Sequence, residues 1–288
     1  MNQLEVFNQH RPLLFAIAYR MISSVADVED IVQEAWLRWQ PVNEIVQSPK
    51  AFLSSLVTRL CIDYLRSARV RREQYVGTWL PEPLLTEQIS HRQDYTELAE
   101  SLSFAFLTLL ECLSPTERAI FLLREVFDYN YEDIAKIVNK SASNCRQITR
   151  RARQHLILRR PRVSPSPQKQ EELIEQFCAY WNQGDVHKLI AMMAEDITFW
   201  ADGGGQAIAI QKPMYGCLKV SRFLVAIRRS KQIPDLIPKI VQVNGQLAVV
   251  NFVNKKPQSV FNFEFSNDCI QSIFAVVNPE KLKAIQIT

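Results

Sequence analysis

Histidine is scarce in this sequence, and cysteine, though present, is scattered. Six cysteines stand at 61, 112, 145, 178, 217 and 269, and no two have the C-x-x-C spacing that metal and redox sites favour. Free thiols in a reducing compartment are therefore expected. The four histidines, His10, His91, His155 and His187, form no set. No run approaches the roughly 18 apolar residues of a membrane span. The start, "MNQLEVFNQHRP", lacks the basic residues and apolar stretch of a signal peptide. These absences point to a soluble cytoplasmic protein with no metal, no cofactor and no membrane partner. There are no internal repeats and no low-complexity tract. Nor does the net charge of +4 name a partner; its distribution along the chain does.

At roughly 150 residues per domain, 288 residues suggest two or three folding units. A hydrophobic content of 47% is ample for packed cores. Residues 1–75 read as successive helices with few glycines. In "SVADVEDIVQEAWLRW", Val25, Val28, Val32, Ala35, Trp36 and Trp39 fall on one side at helical spacing, and Trp39 is expected in the core. A second helix over about 49–72 has Ser48 as its cap and Pro49 in its first turn. Residues 76–95 hold two prolines around a glutamate and form an apolar connector. Helices resume over 96–160. Ser114, Pro115 and Glu117 make a capping box, Asn130 caps the next helix, and Ser141 caps the one after a tight turn. The last three helices have the outline of a helix-turn-helix.

"PRVSPSPQK", 161–169, is a linker. Beyond it, 170–288 reads as an α+β domain. An amphipathic helix carries Leu173, Phe177 and Trp181 and ends at Gly184, and Asp185 caps "VHKLIAMMAED". The expected strands are "ITFW", "IPKIVQV", "QLAVVNFV", "SVFNFEF" and "CIQSIFAVV", with a hairpin at Asn244-Gly245, arranged as an antiparallel meander.

Between Ile134 and Arg162 stand Lys136, Lys140, Arg146, Arg150, Arg151, Arg153, Arg159, Arg160 and Arg162, with no acid. Asp27, Glu29, Asp30 and Glu34 form an acidic stretch with no base among them. A basic run on the second helix of a helix-turn-helix is suited to DNA. Residues near its start reach base edges, so Ser143, Asn144, Arg146, Gln147 and Arg150 are the base-reading candidates. Arg151 and Arg153 suit phosphate contact or packing against neighbours. A second basic stretch, Arg59, Arg66, Arg69, Arg71 and Arg72 with Tyr64 among them, is either a solvated helix end or a surface for strand-separated DNA.

"YRMISSVADVEDIVQEAWLRW" resembles region two of the extracytoplasmic-function sigma factors of bacteria. "LSPTERAIFLLREVFDYNYEDIAKIVNKSASNCRQITRRARQHL" resembles region four. "WLPEPL", "DGGG" and "NPEKL" resemble the signatures of the subgroup with a fused C-terminal SnoaL-like domain, the SigJ-like sigma factors. The resemblance implies a multi-domain chain: two all-α sigma domains, a region 2 helical bundle and a region 4 helix-turn-helix, followed by an α+β cone of the SnoaL/NTF2-like type. It also implies core RNA polymerase and promoter DNA as partners. By position, Asp30, Gln33, Glu34 and Trp36 match the polymerase-binding helix. Arg59, Asp63, Arg66 and Arg69 match the DNA-facing helix, and "QPVNEIVQSPK" the loop that takes a flipped base. Trp79, Leu80, Pro81, Glu82, Pro83 and Leu84 would meet Asp202, Gly203, Gly204 and Gly205, and Asn278, Pro279, Lys281 and Leu282, in a regulatory contact.

The sequence departs from the pattern in two places. Gln206 stands where lysine is usual, and Ala142-Ser143 where an acid and an alanine are usual. SnoaL-like domains include cyclases, for which Asp185, His187, Glu195, Asp196 and Asp202 are the available acid–base groups; a small-molecule ligand is a further option. Neither chemistry follows from fold resemblance, and the expected role is regulatory, with no catalytic residue. A helix-turn-helix regulator that never joins polymerase is the alternative, but it leaves the first 75 residues without a purpose.

Overall fold

The structure is a computed structural model describing residues 2–42, 46–73, 75–86, 103–157, 165–230 and 236–285, the side chains of 68–73 excepted. The chain divides into two compact units. One comprises Met1–Gln74, Arg92–Leu102 and Phe106–Arg160; the other comprises Tyr75–His91, Ser103–Ala105 and Pro161–Thr288.

The first unit begins with α1 (Gln3–Ile22), α2 (Val25–Trp39) and α3 (Pro49–Glu73). Asn2 opens α1 with a capping box to Glu5, and Ser23, in the left-handed region, closes it. Helix α2 buries Val28, Val32, Ala35 and Trp39 of the expected side together with Ile31, which that reading left out, while Val25 at the helix start is only partly buried. Trp36 is only half-buried, its ring 5.1 Å from that of Phe7. Ser48 accepts from the Ala51 amide, as its place before Pro49 predicts. Then come α4 (Phe104–Leu110), whose first two residues belong to the second unit, α5 (Pro115–Glu125), α6 (Tyr131–Val138) and α7 (Ala142–Ile157). The capping box at Ser114 and Glu117 is present, and both Asn130 and Ser141 accept from amides in the first turn of the helix each precedes. The hydroxyl of Ser114 holds the Glu117 carboxyl below the usual glutamate range. Helices α5 to α7 enclose a core of Ile120, Leu123, Ile134, Ile137, Cys145 and Ile148.

In the second unit, α8 (Pro167–Gln183) and α9 (Val186–Ala191) precede a six-stranded sheet. Its strands are β1 (Met193–Asp202), β2 (Met214–Tyr215), β3 (Ile237–Val243), β4 (Gln246–Val253), β5 (Lys256–Ser266) and β6 (Cys269–Val276), in the order β2-β1-β6-β5-β4-β3. The expected meander is correct for β3 to β6. It is corrected at β1, which pairs in parallel with β6. The sheet is therefore mixed. Helix α10 (Cys217–Arg228) lies in a stretch to which the sequence reading gives no element, and "VHKLIAMMAED" splits, because β1 already begins at Met193. Asn244 and Gly245 both take positive φ, which a two-residue hairpin turn requires. The last helix is α11 (Pro279–Leu282).

Alternation gives the sheet two unlike faces. One carries Ile197, Phe199, Val249, Phe261, Phe263 and Ile273 against Phe177 and Trp181 of α8 and Leu224 of α10. The other carries Val250, Val260, Phe274 and Val276. It is covered by Leu80 and Leu85 of the connector, by Phe104, and by Leu282 and Ile285. The connector is thus one wall of a core.

Candidate functional site

On α2 the buried stripe fixes what faces outward. Asp30, Gln33 and Leu37 are exposed and Glu34 partly so, at the spacing of one helix face. Leu37 is 53% exposed, a large apolar side chain in the middle of an acidic and polar surface. The sequence reading gives Leu37 no role, since it falls off the apolar side traced through Val28, Val32, Ala35 and Trp39. Glu34 pairs with Arg38 at 2.7 Å. Trp36 turns towards Phe7, away from the centre of this face.

The four positions matched on α3 are treated unequally. Asp63 and Arg66 are exposed and pair loosely with each other at 3.5 Å. The side chain of Arg69 lies outside the described residues, as do 43–45 of the flipped-base loop. Arg59 is exposed as well, but its Nε and Nη2 donate to the carbonyls of Ile137 and Lys136, each at 2.9 Å.

The second helix of the helix-turn-helix, α7, buries Cys145, Ile148, Thr149, Ala152 and Leu156. Ser143, Gln147 and Arg150 share an exposed stripe opposite that face, and Gln154 continues it. Asn144 and Arg146 flank the stripe. Arg146 leans onto α6, bonding Glu132 at 2.9 Å with its guanidinium 5.1 Å from the centre of the Tyr131 ring. Arg153 is held by Glu125 through two bonds of 2.9 and 2.7 Å.

The connector converges on one carboxylate in the second unit. Asp202, fully buried at the end of β1, accepts from Tyr75 Oη at 2.5 Å, the Leu80 amide at 2.8 Å, Lys281 Nζ at 2.7 Å and the Gly204 amide at 3.1 Å. Lys281 Nζ also bonds the Leu80 carbonyl and lies 4.1 Å from the centre of the Trp79 ring. Asn278 Nδ2 donates to the Tyr75 hydroxyl at 3.0 Å and its Oδ1 caps α11. Burial, together with the hydrogen bond to Asp202, pushes the Tyr75 hydroxyl well above the usual tyrosine range. Pro81, Glu82, Pro83 and Leu84 are all buried. At the other end of the segment, the Leu84 amide donates to Asn244 Oδ1, the Asn244 amide returns a bond to Leu84 O, and Thr86 Oγ1 accepts from Gly245. Tyr75, Asn244 and Thr86 were missed by sequence reading. Asn244 was legible only as a turn residue.

The glycines of "DGGG" have a steric reason. A Cβ on Gly203 would stand 2.5 Å from the Ala207 carbonyl. Gly204 has φ +59°, and a Cβ there would stand 2.3 Å from Asn278 Nδ2. Gly204→Ala should therefore cost about 2–4 kcal/mol, from left-handed strain plus displacement of Asn278. Thermal denaturation of the full chain checks this. The Gln206 amide closes the turn onto Gly203 O while its side chain is exposed, so no charge contact is built there.

The acid–base candidates are not brought together. Asp185 caps α9 and pairs with Lys188 at 3.5 Å. His187, Glu195 and Asp196 are exposed, and Asp202 is occupied by the connector. Among the described residues no group of three or more His, Cys, Asp or Glu side chains could hold a metal ion, and no helix is long and apolar enough to cross a membrane.

A helical module with an acidic face, a helix-turn-helix whose second helix exposes a polar stripe with Arg150 on it, and an α+β domain holding the segment that joins them in sequence are the parts of a transcription-initiation factor of the sigma class. Residues 6–71 match the family Sigma-70 region 2, and residues 103–156 match Sigma-70, region 4. The ECF RNA polymerase sigma factor SigJ of Mycobacterium tuberculosis is 34% identical over 250 residues, covering 85% of this chain and 79% of that protein. The probable sigma factor SigI of the same organism is 28% identical, covering 96% of this chain and 93% of that one. The crystal structure of SigJ superposes with a TM-score of 0.79 at 27% identity, over 99% of this chain and all of that one. The chain belongs to the extracytoplasmic-function RNA polymerase sigma factors, which direct polymerase to promoters to begin transcription.

Proposed function

We propose that the exposed face of α2 (Asp30, Gln33, Glu34 and Leu37) is where this sigma factor grips core RNA polymerase, that Ser143, Gln147 and Arg150 of α7 read duplex promoter DNA, and that the C-terminal domain governs both regions through its hold on the connector. The observation that carries the regulatory part is Asp202: three motifs far apart in sequence meet on its two oxygens. A domain that merely followed the sigma regions would need no buried ion pair around the segment between them. Conservative opening or closing of that hold would reposition the connector's backbone, since Leu80 is bonded through both its amide and its carbonyl.

For polymerase, an exposed leucine ringed by carboxylates and an amide suits a partner with a basic rim and an apolar centre. The double variant D30A/E34A, and L37A separately, should each weaken binding to core polymerase by at least about tenfold. Binding of a promoter duplex by the same variants should be unchanged. Fluorescence anisotropy with core polymerase and with duplex measures both. Equal loss of the two would mean that the α2 face supports the fold and is no polymerase surface.

The domain's role is regulatory rather than catalytic on this reading, because its acids and histidine serve as caps, pairs and surface groups. A small bound molecule is a second reading with one supporting observation. Asn251, on the same face of β4 as Val249, is fully buried, and its Oδ1 has no partner among the described residues. Native mass spectrometry of the purified chain would detect a retained molecule, and its absence would remove this reading.

A further inference from the structure

On the sheet face that the connector covers, the apolar lining gives way to polar groups further along the strands. Thr198, Trp200 and Asp202 alternate along β1 on this face, as Asn262 and Glu264 do on β5. Register sets them in two rows across β5, β6 and β1. One row is Asn262, Phe274 and Trp200, and the next is Glu264, Ser272 and Thr198. Tyr215 of β2, 59% exposed, stands opposite Thr198 at the open edge. The second row is a chain of hydrogen bonds that all point one way. Trp200 Nε1 donates to Thr198 Oγ1 at 3.0 Å, Thr198 to Ser272 Oγ at 3.1 Å, and Ser272 to Glu264 Oε2 at 2.8 Å. Every donor of the chain is thereby spent. Its acceptor end, Glu264, is half-buried and has no ion-pair partner among the described residues. Burial raises that carboxyl above the usual glutamate range. Asn262, 2% exposed, has an Nδ2 with no hydrogen-bond partner among the described residues. An unpaired buried donor costs stability, and a carboxylate taken out of water calls for a cation. Strands β1, β2, β6 and β5 beyond Lys256 contain no lysine or arginine, while Glu195 and Asp196 are exposed near the start of β1. Lys281, which reaches this face from α11, is taken by Asp202. This distribution of charge disfavours an anion.

We propose that this patch binds a small organic ammonium ion carrying an oxygen acceptor, with Glu264 as counter-charge, the Trp200 ring beside the cation and Asn262 donating to the oxygen. The ammonium supplies the charge that Glu264 lacks, and the oxygen supplies the acceptor that Asn262 Nδ2 lacks. The two residues are two apart on one strand face, about 7 Å, which a short amino alcohol can span. An aromatic ring beside a carboxylate suits such ions. The site is separate from Asn251, which lies on the other face of the sheet with Val249. Trp200 also packs against the core that holds Leu80 and Leu85, and Asp202 follows two residues later on the same strand face. An occupant thus sits beside the cluster that holds the connector and biases that hold; this link alone rests on the regulatory reading above.

Choline is the probe, since it carries an ammonium and a hydroxyl a short distance apart. Tetramethylammonium lacks the hydroxyl, and dimethylbutanol is the neutral carbon isostere. Each is titrated into the full chain and followed at the Trp200 indole N–H resonance, identified by its loss in W200F. Choline should give a saturable shift. Dimethylbutanol should bind at least about tenfold more weakly, and E264Q should lose choline to the same extent. N262L should abolish the preference for choline over tetramethylammonium. Both variants remove a group that the fold holds without a full complement of partners, so both should melt at or above the wild-type temperature, and a loss of binding is then not a loss of fold. Equal binding of choline and its isostere, undiminished binding to E264Q, or no saturable shift in wild type overturns the site. Choline should also change promoter-dependent transcript yield severalfold with wild type and not with E264Q. Binding with an unchanged yield upholds the site and overturns its link to the connector, and variants of Asp202 itself then judge the regulatory reading separately.

Discussion

Asp202→Asn should unfasten the connector from the C-terminal domain and lower the stability of the second unit by about 3–5 kcal/mol, the range for removing one partner of a buried ion pair. The size follows from what remains. Lys281 keeps its charge with only 10% of its side chain exposed, and asparagine offers one carbonyl oxygen where two carboxylate oxygens accepted four donors. Its amide would face either Lys281 Nζ and the Leu80 amide, or Tyr75 and the Gly204 amide, donors in both cases. Removing the lysine as well, in D202N/K281M, should recover part of the loss, because the uncompensated charge is gone and the methionine chain keeps the volume beside Trp79. Calorimetry of the three variants checks the order: wild type, then the double variant, then D202N. Promoter-dependent transcription supplies the functional arm. D202N should change transcript yield severalfold while D30A/E34A-sensitive binding to core polymerase persists. An unchanged yield would reduce the Asp202 cluster to a structural clamp.

The elements that were legible in the sequence are those whose signals are local. Ser114, Asn130, Ser141 and Asp185 act as caps where they stand in the sequence, and Asn244-Gly245 makes the hairpin its spacing announces. Such features depend on residues three or four apart. The parallel pairing of β1 with β6 is not local: Phe199 lies opposite Ile273, and nothing near either residue encodes the match. The same holds for the Asp202 cluster. The three short motifs were visible as motifs, but not that one aspartate would serve all of them, nor that Tyr75 would join it. Arg59 shows the limit from the other side. Its place on a basic helix suggested DNA, and nothing local announced that two of its five N–H donors would meet carbonyls 77 and 78 residues away.

Arg150→Ala should lower affinity for the cognate promoter duplex by about 1–3 kcal/mol, roughly 5- to 150-fold, without weakening polymerase binding. Of the arginines on α7, it combines exposure, a position on the outward stripe and proximity to the helix start. Arg146, nearer the start, is already committed to Glu132 and Tyr131, so its loss should do less to recognition and more to the packing of α6 on α7. Arg153 is tied to Glu125 and should matter least to DNA. The order R150A, then R146A, then R153A in loss of duplex affinity is therefore expected from the geometry alone. Whether Arg150 reads a base or holds a phosphate is decided by two further readings on the same titrations. A base contact loses more on the cognate site than on a scrambled duplex, whereas a phosphate contact weakens both alike and makes the salt dependence shallower by about one unit of slope. Gln147, one turn earlier on the same stripe, separates the cases independently. An uncharged amide contributes no counterion release, so any loss in Q147A confined to the cognate sequence is direct readout by this face of α7.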